Sequence, residues 1–216
     1  MKWKILYTIL IILSGIKCKT IYPVIEYGYN IPPDTKSFVV IDGGISSAPG
    51  IVIKKKRNEV VKEMKDQYLI SLSSVLQKKS GITCINDTAL TTDAKNMLLQ
   101  KDSSAIAGLR NIYKSSIILI LKDCSAGFRQ GDINKTKDSN GNTSKTAEYD
   151  VFFDADWMII ADSTIHERTI SASRYHSIRN VLSGLLARGP GFETNKEDIL
   201  AMAQQNASSV ALLFKY

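Results

Sequence analysis

The first half of the chain alternates between compact apolar runs and amphipathic segments. SFVVID, residues 37–42, is an apolar run that ends at a glycine pair, which is typical of a buried strand. Residues 58–79 predict an amphipathic helix, because apolar side chains recur at steps of three or four, at Val61, Met64, Tyr68, Leu72 and Val75. Further strands are predicted at 82–86 and 115–123, with a shorter helical stretch at 92–113 between them. This order predicts parallel strands joined by right-handed crossovers.

The second half opens on a polar stretch and continues with strict alternation. Residues 125–146 contain few apolar side chains, which predicts an exposed, mobile loop. In EYDVFFDADWMIIAD, residues 148–162, apolar and polar side chains alternate with period two, which indicates a long strand with one face on the core. Asp162 and Ser163 can turn the chain into a partner strand over 164–173. The sheet is therefore expected to end in an antiparallel hairpin.

Two helices are predicted at the C-terminal end. Residues 173–188 carry apolar side chains at helical spacing up to Gly189, and a capping box from Thr194 to Glu197 begins the last helix. The predicted fold class is α/β. It comprises a small mixed sheet, a parallel βαβαβ unit followed by an antiparallel hairpin, packed by helices and completed by a C-terminal helical hairpin.

The N-terminus has the pattern of a bacterial secretion signal. Lys2 and Lys4 precede an apolar run from Ile5 to Ile16, which is shorter than the roughly 20 residues that span a bilayer. Cys18 follows this run and is similar to the cysteine of lipoprotein signals, which is acylated and becomes the mature N-terminus. Lys17 stands where such signals usually carry a small residue, so ordinary cleavage nearby, or an uncleaved anchor, is the alternative.

These patterns divide the chain into four parts. We expect a signal peptide over 1–18, an extended N-terminal segment over 19–36, an α/β domain over 37–173 that includes the polar loop 125–146, and helices packed on that domain over 174–216. Without the signal, just under 200 of the 216 residues remain, and the chain is 44% hydrophobic. This is enough for one domain with a real core.

The positive charge says little about the folded domain. The formal net charge is +7, but four lysines lie in the first 19 residues, so the remainder carries about +3. The largest basic cluster, residues 54–57, is not accompanied by an aromatic or glycine-rich recognition motif. A solvated segment is therefore favoured over a nucleic-acid or lipid patch, and no nucleic-acid partner is expected.

The remaining cysteines and the histidines offer few candidate sites. Cys84 and Cys124 lie in predicted strands of an exported protein, where disulfides persist. They are a candidate disulfide, and two buried thiols are the alternative. His166 and His176 have no cysteine or histidine at ligand spacing, which argues against a zinc site.

Carboxylates on the alternating strand are the strongest candidate for a metal site. Asp150, Asp154 and Asp156 share one face, but their offsets of four and two differ from the spacing of a calcium loop, so an acidic solvent face is favoured. No GxSxG, GxGxxG or P-loop pattern is present, and the turn after Asp42 is interpreted as a plain loop. His166 and Glu167 point to opposite faces of their strand. We therefore expect no catalytic, cofactor-binding or metal-binding residues.

Several segments together resemble a known family. PPDTKSFVVID (residues 32–42), SSIILILKD (115–123) and EYDVFFDADWMIIAD before STIHERTIS (148–171) look like a Bacteroidetes family of lipoproteins of unknown function. The first domain of that family is similar to the N-terminal α/β domain of TolB. The resemblance implies an envelope location and a binding or assembly role, and it carries no catalytic residues to this chain.

The expected function is a binding or assembly role for an exported protein of the cell envelope. We expect a protein held in the periplasm or at the outer membrane by its N-terminal lipid or anchor, with other envelope proteins as partners. The alternative is an envelope hydrolase whose site lies beyond the strand ends, near the polar loop. A deep pocket with convergent ionisable groups favours the hydrolase, and an apolar groove or an unpaired sheet edge favours the binding module.

Overall fold

The computed structural model describes residues 20–21, 28–43, 47, 54–87, 92–114, 116–137, 139–141, 143–161, 164–179 and 192–215. The predicted signal peptide and Cys18 lie outside these residues. In chain order the elements are β1 (Thr20–Ile21), β2 (Tyr29–Asn30), β3 (Ser37–Asp42), α1 (Lys54–Ser80), β4 (Thr83–Asp87), α2 (Thr92–Leu99), α3 (Ser103–Ile112), β5 (Ser116–Lys137), β6 (Thr143–Ala161), β7 (Thr164–Arg179), α4 (Phe192–Ala211) and β8 (Phe214–Lys215).

The main sheet has six strands in the order β1-β7-β6-β5-β3-β4. Strand β3 lies parallel to β4 on one side and to β5 on the other. Strands β5, β6 and β7 form an antiparallel meander, and β1 pairs antiparallel with β7. A second, two-stranded parallel sheet joins β2 to β8. The predicted mixed α/β fold, with a parallel βαβαβ half followed by antiparallel strands, is confirmed.

Helices cover both faces of the sheet around β3. Phe38 and Val40 pack into a core with residues of α1 and α4, whereas Val39 and Ile41 pack into a second core with α2 and α3. A strand that is buried on both faces needs apolar side chains at every position. This explains why SFVVID lacks the alternation of β6, whose second face becomes polar beyond the helices. Within the described residues, no helix has the length and apolar character needed to cross a bilayer.

A buried hydrogen-bond network fixes α4 against the sheet. The Asn206 side-chain amide donates to the carbonyl oxygens of Phe153 (3.2 Å) and Ile170 (2.7 Å), which belong to adjacent strands. The Tyr68 hydroxyl on α1 donates to Asn206 Oδ1 (2.7 Å) and accepts from Trp157 Nε1 (3.1 Å). Every polar atom named here has a partner, which is the condition for burying such groups without a large penalty.

The turn after β3 brings two backbones into close approach. Gly43 donates its amide to the Leu121 carbonyl oxygen (2.8 Å). A Cβ atom built on Gly43 lies 2.3 Å from that same oxygen. The glycine is therefore required by backbone packing between β3 and β5. Of the predicted loop that follows it, residues 44–46 and 48–50 lie outside the described residues.

The prediction of a polar loop over residues 125–146 is wrong. Strand β5 continues to Lys137 and β6 begins at Thr143, so most of this stretch is a paired ribbon, with Thr136 opposite Ser144. The described side chains of residues 134–137 are exposed. Because neither face of the ribbon is buried, its sequence shows no alternation, and cross-strand backbone hydrogen bonds hold the strands.

The first helix of the predicted C-terminal hairpin is also corrected. Strand β7 extends to Arg179, so residues 173–179 are paired with β6 and are not helical. Tyr175, which fits the helical spacing, is 39% exposed and points away from the cores. Residues 180–188 lie outside the described residues. The final helix is present as α4, packed on the first face of the sheet.

Candidate functional site

Beyond α2 and α3, the second face of the sheet carries carboxylates on adjacent strands. Met158 of β6 packs under these helices, and Asp156 and Asp154 follow on the same face by alternation. Asp123 of β5 lies directly opposite Asp156 in the register, and Ser125 lies opposite Asp154. Asp123, Asp154 and Asp156 are termed the acidic face.

The acidic face has more acceptors than donors. Oδ1 of Asp123 and Oδ1 of Asp154 are shut off from solvent, and neither atom has a hydrogen-bond donor in the described part of the chain. Burial raises the pKa of Asp123; a backbone hydrogen bond from Cys124 opposes the rise, and the negative charge of Asp156 adds to it. The face is therefore a concentration of negative charge with unmet acceptor capacity.

Among the described residues, two side chains donate to this face. Arg129 binds Asp154 through Nη2, and its guanidinium lies over the Phe152 ring at 3.8 Å from the centroid. Thr169 Oγ1 donates to Asp156 Oδ1 at 2.6 Å. One cation thus stands against three carboxylates, and because the Arg129 side chain is 51% exposed, solvent screens its ion pair.

The geometry does not form a metal cage. Asp150 lies farther along β6, opposite Arg129, so the aspartates of this strand are spread along its length. No group of three or more His, Cys, Asp or Glu side chains among the described residues is placed to hold a metal ion. What the acidic face can do is accept hydrogen bonds from, and pair with, positively charged donors.

Glu167 and His166 lie on opposite faces of β7. Glu167 stands on the same side as the acidic face, where its carboxylate accepts from Lys101 (2.8 Å) and Lys122 (2.6 Å). These two hydrogen bonds lower the pKa of Glu167 to about 2. The His166 ring packs 4.6 Å from the Tyr29 ring. The two residues therefore do not act as a pair.

His176 belongs to a contact between β7 and α4. Its ring stacks on Tyr149 at 5.1 Å, and its Nε2 lies 3.3 Å from Asp198 Oδ2. Arg174 Nη1 donates to Asp198 Oδ1 at 2.6 Å. These contacts tie the first turns of α4 to the sheet, which is a structural role.

The two described cysteines are free thiols. Cys84 lies on β4 and Cys124 on β5, and these strands flank β3 on opposite sides. The candidate disulfide is therefore absent from the structure. Burial raises the pKa of Cys84 and raises that of Cys124 to about 12, so both thiols stay protonated at neutral pH and are poor nucleophiles.

Sequence reasoning found part of the acidic face and missed the rest. Period-two alternation on β6 places Asp154 and Asp156 together. Asp123 and Arg129 join them only through the pairing of β5 with β6, which includes a register shift between Leu121 and Asp123. The basic cluster 54–57 forms the first turn of α1, and its side chains lie outside what the structure describes.

No protein-family model matches the chain, and no curated protein is detectably similar to it in sequence. Among solved structures, it is similar to a neuraminyllactose-binding hemagglutinin homolog from Helicobacter pylori (13% identity, TM-score 0.40, covering 88% of this chain and 85% of that one). It is also similar to a minor lipoprotein from Acinetobacter baumannii (10% identity, TM-score 0.38, covering 82% of this chain and 89% of that one). A third similar structure is PelC, a dodecamer, from Paraburkholderia phytofirmans (7% identity, TM-score 0.32, covering 89% of this chain and 99% of that one). Similarity at this level assigns no function, and membership of the Bacteroidetes lipoprotein family stays a prediction.

Proposed function

We propose that the chain is an exported, membrane-tethered module of the cell envelope whose acidic face binds a positively charged segment of another envelope protein. The observation that carries the proposal is the surplus of negative charge: the partly exposed Asp123, Asp154 and Asp156 face one described cation, Arg129. Lysine or arginine side chains of a partner can bind the accessible part of these carboxylates, and a hydrogen bond to a charged group contributes about 1.5–3 kcal/mol.

Charge complementarity supports the same partner. The acidic face presents three carboxylates against Arg129. Burial is the main cause of the raised pKa of Asp123, and the negative charge of Asp156 adds to it. An excess of negative charge on a binding surface accelerates association with positively charged partners and disfavours negatively charged ones. A cationic segment therefore gains both association rate and specificity here.

The tether rests on the N-terminal sequence and fits the position of the first strand. Strand β1 begins at Thr20, close to Cys18, and pairs with Ser173 and Arg174 of β7. Under this proposal the β1 edge of the sheet lies next to the membrane. Strand β4, at the other end of the strand order, is the distant edge.

Site-specific crosslinking in the native envelope tests the proposal. A photo-crosslinking residue at Ser171, which is exposed opposite Asp154, should capture a defined envelope protein, and the yield should fall as salt is raised. The same residue at exposed Gln77 on α1 is the positional control.

Neutral variants supply the second arm. Asp123→Asn combined with Asp156→Asn should lower the capture at Ser171 by about tenfold or more, since charge-assisted contacts contribute about 1.5–3 kcal/mol each. The matched control is Asp66→Asn, which changes an exposed carboxylate on α1. Equal products from both crosslinker positions, or capture that is indifferent to the two asparagines, would refute a role for the acidic face.

A further inference from the structure

A small cavity lies where β3 and β5 begin, on the opposite end of β3 from the acidic face. Its volume is about 240 Å³. The polar part of its wall comprises Asp34, Thr35, Arg110, Tyr113 and Ser116. Binding sites for drug-sized ligands usually measure about 300–1,000 Å³, so this cavity has room for a compact molecule of few heavy atoms.

Arg110, in the last turn of α3, lines the cavity and has two buried guanidinium nitrogens without an acceptor among the described residues. Its Nε and Nη2 are shut off from solvent, and no group in the described chain accepts a hydrogen bond from either atom. A guanidinium is always charged and distributes its charge over all three nitrogens. Burying guanidinium nitrogens without hydrogen-bond acceptors is costly. Because the positive charge is shared by all three nitrogens, an anion in the cavity would stabilise the guanidinium without contacting the two buried ones.

The hydroxyl groups of the wall also favour an acceptor ligand. Ser116 Oγ lies 2.7 Å from Ser37 Oγ, and because only one of the two donates in that bond, the other hydroxyl proton is available elsewhere. The Tyr113 hydroxyl donates to Asp87 (2.6 Å), a bond that raises the pKa of Tyr113 to about 12 and keeps it neutral. Tyr113 is thus a neutral part of the wall, and the donors that remain are Arg110, Ser116 and Thr35.

We infer that this cavity binds the carboxylate of a small organic acid, with Arg110 as its counter-charge and the hydroxyls of Ser116 and Thr35 as further donors. A singly charged carboxylate matches the single cation. A phosphate group, with a charge of about −1.5 to −2, is disfavoured because Asp34 stands in the same wall. The inference is independent of the acidic face and of the membrane tether.

Ligand-dependent melting of the purified full chain tests the inference. Sodium acetate, glycine and sodium phosphate are compared with sodium chloride at equal ionic strength. The melting temperature should rise and then saturate with acetate or with glycine. Arg110→Gln should weaken binding at least about tenfold, as expected for loss of a charged hydrogen-bonding partner. Arg168→Gln, which removes an exposed arginine of β7 outside the cavity, should leave acetate binding unchanged.

A second readout follows Arg110 itself. The secluded Nε–H should exchange slowly and give a resolved NMR signal, and acetate should shift that signal over the same concentration range as the melting temperature. Arg110→Lys keeps the charge without the planar guanidinium and should bind more weakly than the wild type and more tightly than Arg110→Gln. This series remains informative if one variant folds poorly.

Three results would overturn the inference. They are saturation by phosphate at lower concentrations than by either carboxylate, an undiminished response in Arg110→Gln, and the absence of any ligand-dependent shift in the wild type. The crosslinking of the acidic face has no part in these measurements, so either proposal can fail without the other.

Discussion

Gly43 and Gly108 differ in the space available to a side chain. A Cβ atom on Gly43 meets the Leu121 carbonyl oxygen at 2.3 Å, whereas a Cβ atom on Gly108, inside α3, meets no atom within 4 Å. Gly43→Ala should therefore lower the free energy of unfolding by about 1–3 kcal/mol, as overpacking does. Gly108→Ala should raise it by about 0.5–1 kcal/mol, because alanine favours the helix interior. Urea denaturation measures both, and a similar effect of the two changes would contradict the close approach at Gly43.

Glu167 makes a pH-dependent contribution to stability. Lys101 and Lys122 lower the pKa of its carboxyl to about 2, against about 4.3 in an unfolded chain. Because the pKa is lower in the folded state, the charged Glu167 contributes its full stabilisation above about pH 4.3, and this contribution to the free energy of unfolding is lost as the pH falls through about 2. Glu167→Gln should lower the free energy of unfolding by less than about 1 kcal/mol at pH 7, because the carboxylate is exposed.

The cost of Glu167→Gln should shrink between pH 4 and pH 2 and also in 1 M salt, which screens the two lysines. Chemical denaturation of wild type and variant at pH 7, 4 and 2 measures the difference. If that difference were the same at all three values, Glu167 would not be the charged partner of these lysines.

The chemistry of individual residues could be predicted where it depends on local periodicity. Asp154 and Asp156 share a face because strand side chains alternate, and the sequence alone shows this. Asp123 could not be assigned, because the register of β5 shifts at Lys122, between Leu121 and Asp123. In the sequence, Arg110 is an ordinary cation near the end of a helix; that two of its nitrogens are buried without an acceptor in the described part of the chain depends on tertiary packing.

At the scale of elements, the ribbon formed by the ends of β5 and β6 is separable from the cores. Its described side chains at 134–137 are exposed. Replacing residues 135–145 with Asn-Gly, which forms a tight hairpin turn, should change the free energy of unfolding by less than about 1 kcal/mol. Phe128→Ala, in the buried part of β5, should lower the free energy of unfolding by about 3–5 kcal/mol. Denaturation of both variants is the measurement, and a large loss on shortening would show that the ribbon packs on the domain.

Elements with a buried face were predictable, and elements held mainly by strand pairing were not. Strand β3 and helices α1 and α4 bury apolar side chains, so the spacing of apolar residues in the sequence predicts these elements. The ribbon buries neither face, and its composition resembles that of a loop. Residues 173–179 carry apolar side chains at a helical spacing, but β6 supplies backbone partners that local sequence does not reveal.

At the scale of the whole molecule, the proposed membrane tether depends on acylation of Cys18. Mass spectrometry of the protein from membranes should find an acylated Cys18 at the mature N-terminus, and Cys18→Ala should move the protein out of the membrane fraction, since acyl chains supply the anchoring free energy. Lys17→Ala, which restores a small residue before the cysteine, is the control and should retain acylation. A soluble protein cleaved elsewhere, or one that keeps Met1, would contradict the lipoprotein prediction.

The pairing of the first strands with the last ones sets when the domain can close. Strand β2 at Tyr29–Asn30 pairs with β8 at Phe214–Lys215, and β1 pairs with Ser173 and Arg174 of β7. Contacts between residues so distant in sequence form late, because the intervening chain must first be ordered. Under the proposed export, a chain that enters a translocation channel with its N-terminus first cannot form the β2–β8 pair until Phe214 and Lys215 have crossed.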